Sequence, residues 1–226
     1  MVNKEVLDLL TGYVSENKND LFDKIIPERT KYITVVLENI FQPHNASAVL
    51  RSAECFGVQD LHVIENEYEY APNKRVVMGA AKWVDVHKYS EKENNTVDCI
   101  NHLKNQGYRI VATSPHSNDC NIDELDLEKG PIALMFGSEE PGLSDLAMEH
   151  ADEFVKIPMH GFTESFNISV SAALCLFELT TRLRKSNVDW RLSPEEQEEL
   201  RYQWCKKVVK NADLIEQHFL NNQDSK

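Results

Sequence analysis

Nowhere in these 226 residues is there an apolar run long enough to span a bilayer. The longest lies within Val170 to Phe177, is interrupted by Ser171, and falls far short of the ~20 residues that a crossing helix needs. Met1 to Leu10 mixes charged with apolar residues, so no signal peptide is expected and no membrane association. Cysteine is scarce: Cys55, Cys99, Cys120, Cys175 and Cys205 are odd in number, scattered, and include no CxxC pair. Such a set argues against a disulfide framework and against a zinc site, and suits a reducing cytoplasm. Positive charge is also short, with 24 Lys and Arg against 37 Asp and Glu, a net charge of -13. That balance is unusual for a nucleic-acid binder, so any such role depends on local clusters and not on the sum. No GxGxxG follows a strand-like run and no GxxxxGK(S/T) occurs, which counts against a nucleotide-binding α/β enzyme of the common kinds.

What is present is enough apolar material for one sizeable core, 42% of the chain, without internal repeats or low-complexity linkers. Three zones are visible. Residues 1–30 read as a helical extension, with Val6, Leu9, Leu10 and Tyr13, then Leu21, Phe22, Ile25 and Ile26 at helical spacing, ended by Pro27. Residues 31–186 alternate strand and helix signals. Ile33 to Leu37, Leu61 to Ile64, Arg109 to Thr113, Ile132 to Phe136 and Phe154 to Ile157 are short apolar runs separated by helical stretches. The pattern predicts an α/β fold with a mostly parallel sheet, helices on both faces, and ligands at the carboxyl ends of the strands. A helix from about Asn167 to Lys185 closes this zone. Residues 187–226 form a C-terminal helical extension: Ser193-Pro194-Glu195-Glu196 is a capping box, and Leu200, Trp204, Val208, Ile215 and Phe219 continue as one apolar stripe suited to packing.

Three constellations carry chemistry. The first runs from Asn45 to Gly57. Asn45 is placed to cap a helix, Val49, Ala53 and Phe56 share one face, and Gly57 ends it. Arg51 then points to the other side, either as one charge of a solvated Arg-Glu face or as a guanidinium held to meet phosphate and ribose. The second is a strand running into Gly137-Ser138-Glu139-Glu140-Pro141-Gly142, where glycine lets a ligand approach the backbone closely; a plain strand-to-helix turn has the same pattern. The third is Ile157-Pro158-Met159 followed by Ser165-Phe166-Asn167-Ile168-Ser169, in which Ser and Asn can cap the next helix, serve a ligand, or do both.

Together and in this order, these stretches resemble the three signature motifs of the SpoU, or TrmH, family of RNA 2'-O-ribose methyltransferases, within the SPOUT superfamily. The first reads N-x-S-A-x-x-R-x-A-x-x-F-G, the second GxExxG, and the third IPM followed by S-x-N-x-S. The resemblance covers about Val35 to Arg184. It implies a parallel-sheet SPOUT fold whose C-terminal part is threaded into a trefoil knot, flanked here by N- and C-terminal helices, and a homodimer. It implies S-adenosylmethionine as methyl donor and no metal. The donor pocket would comprise Thr113, Gly137, Ile157, Met159, Ser165 and Phe166, many of them through backbone groups. Arg51 would contact the ribose hydroxyl and its phosphate, while Asn45, Glu139 and Asn167 position Arg51, the donor loop and the ribose. A guanidinium is a poor base unless its environment shifts it or the RNA phosphate takes the proton.

Only about thirty residues precede the first strand, too few for the separate RNA-binding domain of some ribosomal-RNA-modifying relatives. Short helical extensions at both ends resemble instead the members that methylate a guanosine ribose in the tRNA D-loop. Ribosomal RNA 2'-O-methylation is the alternative, and a non-catalytic RNA-binding protein of the same fold is the alternative from another class. The basic residues Arg182, Arg184, Lys185 and Arg191, and Arg201, Lys206, Lys207 and Lys210, are either contacts to the RNA backbone or solvated helix faces.

Overall fold

A computed structural model describes residues 2–114 and 120–223 of the chain. Helices α1 (Lys4–Tyr13) and α2 (Glu16–Ile25) lead into a 3-10 turn (Ile26–Glu28). There follow β1 (Ile33–Glu38), α3 (Pro43–Cys55), β2 (Asp60–Ile64), α4 (Lys74–Val77), a 3-10 turn (Ala80–Lys82) and β3 (Asp85–Tyr89). Next come α5 (Asn95–Asn105), β4 (Arg109–Thr113), β5 (Cys120–Asn121), β6 (Ile132–Phe136), α6 (Asp145–His150), β7 (Glu153–Lys156) and α7 (Ile168–Lys185). Helices α8 (Pro194–Val208) and α9 (Ala212–Gln223) complete the described chain. The contacts divide it into two units, one of residues 30–190, the other of the residues up to Arg29 together with those from Arg191 onward.

The unit of residues 30–190 is built on a seven-stranded sheet in the order β3-β2-β1-β6-β4-β7-β5. Every pairing is parallel. Buried on both sides, the central strands read as continuous apolar runs. Their side chains still alternate: Ile33, Val35 and Leu37 of β1 and Ile132, Leu134 and Phe136 of β6 enter one core cluster with residues of α3 and α7. Val36, Ala133 and Met135 point the opposite way, into a second cluster with Cys99, Ile100 and Leu103 of α5 and Ala147 of α6. Each fully buried Leu or Ile contributes about 1.5–3 kcal/mol relative to exposure. The order of strands reverses at β1, since the chain leaves it for β2 on one side while β6 and β4 fill the other. Crevices form outside the carboxyl ends of strands near such a point.

Two of the strands were not legible as apolar runs. β3 is an edge strand of sequence DVHKY with intermediate to exposed side chains, and β5 is only two residues long. The start of α3 also differs from expectation. The helix begins at Pro43, whose fixed φ suits the first helical position, and Gln42 is the N-cap. Asn45 therefore lies inside the first turn and caps nothing, which frees its amide for a tertiary role. Gly57, at φ +79°, ends α3 as expected.

In the unit formed by the two chain ends, Phe22 of α2 packs on Trp204 of α8 with ring centroids 5.3 Å apart, and Arg29 lies over the same indole. Ser193 and Glu196 form the reciprocal capping box at the start of α8, with Pro194 at its first position. The apolar stripe expected to run on without a break is interrupted at Asn211, which adopts φ +57° between α8 and α9. Leu200 and Trp204 are buried, whereas Ile215 and Phe219 are only partly so.

Candidate active site

The carboxyl ends of β4, β6 and β7 open into a cleft of about 690 Å3. Thr113 ends β4, and its Oγ1 donates to the Met135 carbonyl of β6 at 2.8 Å, tying the two strand ends together. The loop after β6 forms one wall. There the Ser138 N–H donates to the Gly142 carbonyl at 3.2 Å, folding residues 137–142 into a tight turn. A Cβ on Gly137 would stand 2.1 Å from both the Gly142 carbonyl carbon and the Leu143 nitrogen. Glycine is required at this position by the loop's own backbone, whatever approaches it from the cleft. Gly142, at φ +93°, supplies the left-handed residue that closes the turn.

The far side of the same loop is anchored by a residue that sequence reasoning passed over. Glu38, at the end of β1, is 1% exposed. Its Oε1 accepts from Thr96 Oγ1 of α5 at 2.6 Å and from Ser144 Oγ at 2.8 Å, and its Oε2 accepts from the Ser144 N–H at 2.8 Å. A carboxylate closing an otherwise apolar buried strand was the available signal, since such a group is kept inside only with its hydrogen bonds satisfied.

Asn45, Glu139 and Asn167, one from each motif, meet. Asn45 Nδ2 donates to Glu139 Oε1 at 2.7 Å, and Asn167 Nδ2 donates to the same oxygen at 2.9 Å and to Asn45 Oδ1 at 3.3 Å. Asn167 is also the N-cap of α7: its Oδ1 accepts from the Ser169 N–H at 2.9 Å and from Ser169 Oγ at 2.6 Å. Capping and networking thus occupy opposite ends of one amide. Glu139 and Asn167 line the cleft, and so do Thr113, Gly137, Ile157, Met159, Ser165 and Phe166, all six of the residues expected to hold a methyl donor. Asn45 and Arg51 are not part of that lining. Arg51 stands exposed on α3 beyond Asn45, and among the described residues its guanidinium has no hydrogen-bonding or ionic partner.

The cleft wall is mixed. Leu143, Met148, Ile157, Met159 and Phe166 are apolar, while Glu139, Glu140 and Glu164 bring carboxylates. Burial pushes the thiol of Cys175, at the back of the cleft, up to about 12, so it is a neutral wall and not a nucleophilic thiolate. A volume in the usual range for small-molecule sites, apolar patches for a nucleoside and carboxylates for cationic groups fit a sulfonium-bearing nucleoside such as S-adenosylmethionine.

The basic clusters fare differently from the motifs. Arg182 donates to the Ile122 and Leu125 carbonyls at 3.0 and 2.6 Å, and Arg184 donates to the Phe56 carbonyl and lies over Trp190. Arg201 pairs with Asp23, and Lys206 with Asp213 and Glu216. These four cations have partners within the fold.

Residues 32–177 match the SpoU rRNA Methylase family, and the chain belongs to it. It is similar to a tRNA (guanosine(18)-2'-O)-methyltransferase of Borreliella burgdorferi, 40% identical over 93% of this chain and 94% of the relative. Among solved structures it is similar to the A. aeolicus TrmH/SpoU tRNA modifying enzyme, with a TM-score of 0.75 and 30% identity over 86% of this chain and 98% of that one. It is also similar to the SpoU methyltransferase AviRb from Streptomyces viridochromogenes, whose structure is in complex with the cofactor AdoMet. There the TM-score is 0.59 and the identity 25%, covering 73% of this chain and 62% of that one.

Proposed function

We propose that this protein transfers a methyl group from S-adenosylmethionine to the 2'-oxygen of a guanosine ribose in tRNA, at position 18 of the D-loop, as the name of its Borreliella burgdorferi relative describes. The observation that carries the reading is the shared oxygen of Glu139. It joins the helix of the first motif, the loop of the second and the helix cap of the third, beside a cleft lined by the expected donor residues.

The donor, when bound, supplies a methyl group on a positively charged sulfur that is already a good leaving group. What remains for the protein is orientation and control of charge. Asn45 and Asn167 fix Glu139, and Glu139 fixes the cleft wall. Arg51 donates to the ribose 2'-oxygen and its neighbouring phosphate; as that oxygen takes the methyl group its proton passes to the phosphate, and the negative charge growing on the oxygen meets a fixed cation. The apolar side chains of Ile157, Met159 and Phe166 exclude water around the reacting atoms.

Two further properties belong to this reading. The chain acts as a homodimer with its C-terminal segment threaded as a knot; Val170, Leu174 and Phe177 support the first part, forming an exposed apolar stripe on α7 at helical spacing. It works in the cytoplasm, where its five free thiols are kept reduced.

The test is transfer of labelled methyl from S-adenosylmethionine to unmodified tRNA and, separately, to ribosomal RNA, with the modified nucleoside mapped. Label in a D-loop 2'-O-methylguanosine is expected. Label only in ribosomal RNA keeps the chemistry and replaces the substrate, and donor binding with no transfer to either RNA overturns the reading.

A further inference from the structure

In the unit of residues 30–190, cations are seldom left alone. Lys88, Lys92, Lys104, Arg109, Lys129 and Arg182 each face a carboxylate. Among the described side chains of this unit, Arg51, Arg75, Lys82 and Lys185 are cations with neither an ion pair nor a hydrogen bond. All four are exposed. Three of them lie on one corner, formed by α3, α4 and the 3-10 turn that follows. In a chain with a net charge of -13, that concentration of unneutralised positive charge is a local departure from the whole.

The corner is built and not merely adjacent. Ser47 of α3 is buried, and its Oγ accepts the Asn73 N–H at 2.8 Å; Asn73 is the residue that caps α4. Arg51 lies one turn beyond Ser47 on the same side of α3. Val77 of α4 and Ala80 of the turn share a core cluster with Ala46, Val49 and Leu50 of α3. Between them Met78 and Gly79 adopt φ +49° and +87°, turning the chain so that Lys82 follows at the end of the 3-10 turn.

We propose that this corner is the footprint of the substrate's phosphate backbone, with Arg75 and Lys82 holding phosphates that flank the one at Arg51. The proposal rests on the reading of the chain as an RNA methyltransferase. Unlike Arg182, Arg184, Arg201 and Lys206, which have partners within the fold, Arg51, Arg75 and Lys82 are unengaged among the described residues. Arg75 and Lys82 are positioning residues: they set where the RNA lies and leave the transfer itself to the groups around Glu139 and Arg51.

The experiment is a titration of the full chain with unmodified tRNA over a range of salt, alongside steady-state methyl transfer. In the double variant Arg75→Gln/Lys82→Gln, the slope of log affinity against log salt is expected to fall by about 1.4–1.8, the release expected for two phosphate contacts. Between about 50 and 200 mM salt its affinity then drops roughly ten-fold less than that of the wild type. KM for RNA rises, while kcat, donor affinity and the thermal midpoint hold. Lys185→Gln keeps the full slope, and the charge-retaining pair Arg75→Lys/Lys82→Arg restores it. An unaltered slope in the double variant of an enzyme that still methylates RNA overturns the footprint alone, and so does an equal loss in Lys185→Gln. A wild type that neither binds nor methylates RNA overturns both the footprint and the function beneath it.

Discussion

Glu38 holds Ser144 by two bonds across 106 residues of sequence, one oxygen accepting the serine hydroxyl and the other its backbone N–H. Ser144 in turn caps α6, accepting the Ala147 N–H at 3.1 Å. The end of the central strand therefore fixes the point at which the glycine loop gives way to a helix. In Glu38→Gln one acceptor becomes an NH2 group and faces a donor. A loss of about 1–3 kcal/mol is expected from the stranded buried group. Urea unfolding measures it, and a weaker donor affinity should accompany it. An unchanged midpoint would show that the loop is held by other means.

Gly137→Ala tests the loop from inside. The added methyl group cannot coexist with the Gly142–Leu143 backbone at 2.1 Å, so the turn must open. Donor affinity is expected to fall by at least ten-fold, while the sheet, held by its own apolar core on both faces, keeps its far-ultraviolet circular dichroism. Calorimetric titration with S-adenosylmethionine gives the answer, and wild-type affinity would mean that the donor does not use this wall.

Arg51→Ala separates chemistry from donor binding. Arg51 is outside the cleft lining, so donor affinity is expected to stay within about two-fold of wild type. Single-turnover transfer should drop by about 10²–10³-fold or more, the range seen when one donor to a developing oxyanion is removed. Near-normal methylation by this variant would remove Arg51 from the mechanism.

The response to acid is set on the other side of the sheet. Burial lowers His62 from 6.5 to about 3, with the neighbouring His87 adding to the effect. His87 is raised, chiefly by its 2.8 Å hydrogen bond to Asp60. Asp60 is pushed up by burial, but that bond and the charge of Lys31 outweigh it and leave it low. A lowered histidine contributes fully above 6.5 and loses its contribution as pH falls towards 3, because only the unfolded chain takes the proton. His87 has the opposite sign, contributing fully below its ordinary value and losing it as pH rises through the folded one. Asp60 contributes above 3.8 and loses that as pH falls through its folded value. Between about pH 6.5 and 4 the His62 effect costs up to about 1.4 kcal/mol per unit. Urea midpoints at pH 7, 6 and 5 should fall more gently in His62→Gln than in wild type. Parallel lines for the two proteins would place the acid sensitivity elsewhere.

Much of this architecture could be read from residue order. The short apolar runs at Ile33, Leu61 and Ile132 mark strands because a strand buried on both faces leaves no polar alternation to confuse the pattern. The same reasoning passes over Asp85–Tyr89, an edge strand with no buried side chain and with His87 and Lys88 exposed. Helix starts were less secure. Asn45 has the chemistry of a cap and sits near a helix start, yet Pro43 fixes the first turn ahead of it. The residues of the site were legible through their motifs, but their meeting was not: Asn45 and Asn167 are 122 positions apart, and only the parallel order of β1, β6 and β7 brings them to one edge. Glu38, a carboxylate closing an apolar strand, went unread because the partners that satisfy it, Thr96 and Ser144, lie 58 and 106 positions away.

One carboxylate oxygen belongs at once to the wall of a small-molecule cleft and to the helix that carries Arg51. Neither site can then be filled in private. To whatever extent an occupied cleft displaces Glu139, Asn45 feels it, and the free energy with which the donor alters RNA affinity must equal that with which RNA alters donor affinity. The enzyme's two substrates are in this sense ligands of a single thermodynamic cycle, with its coupling passing through an amide pair and one shared acceptor.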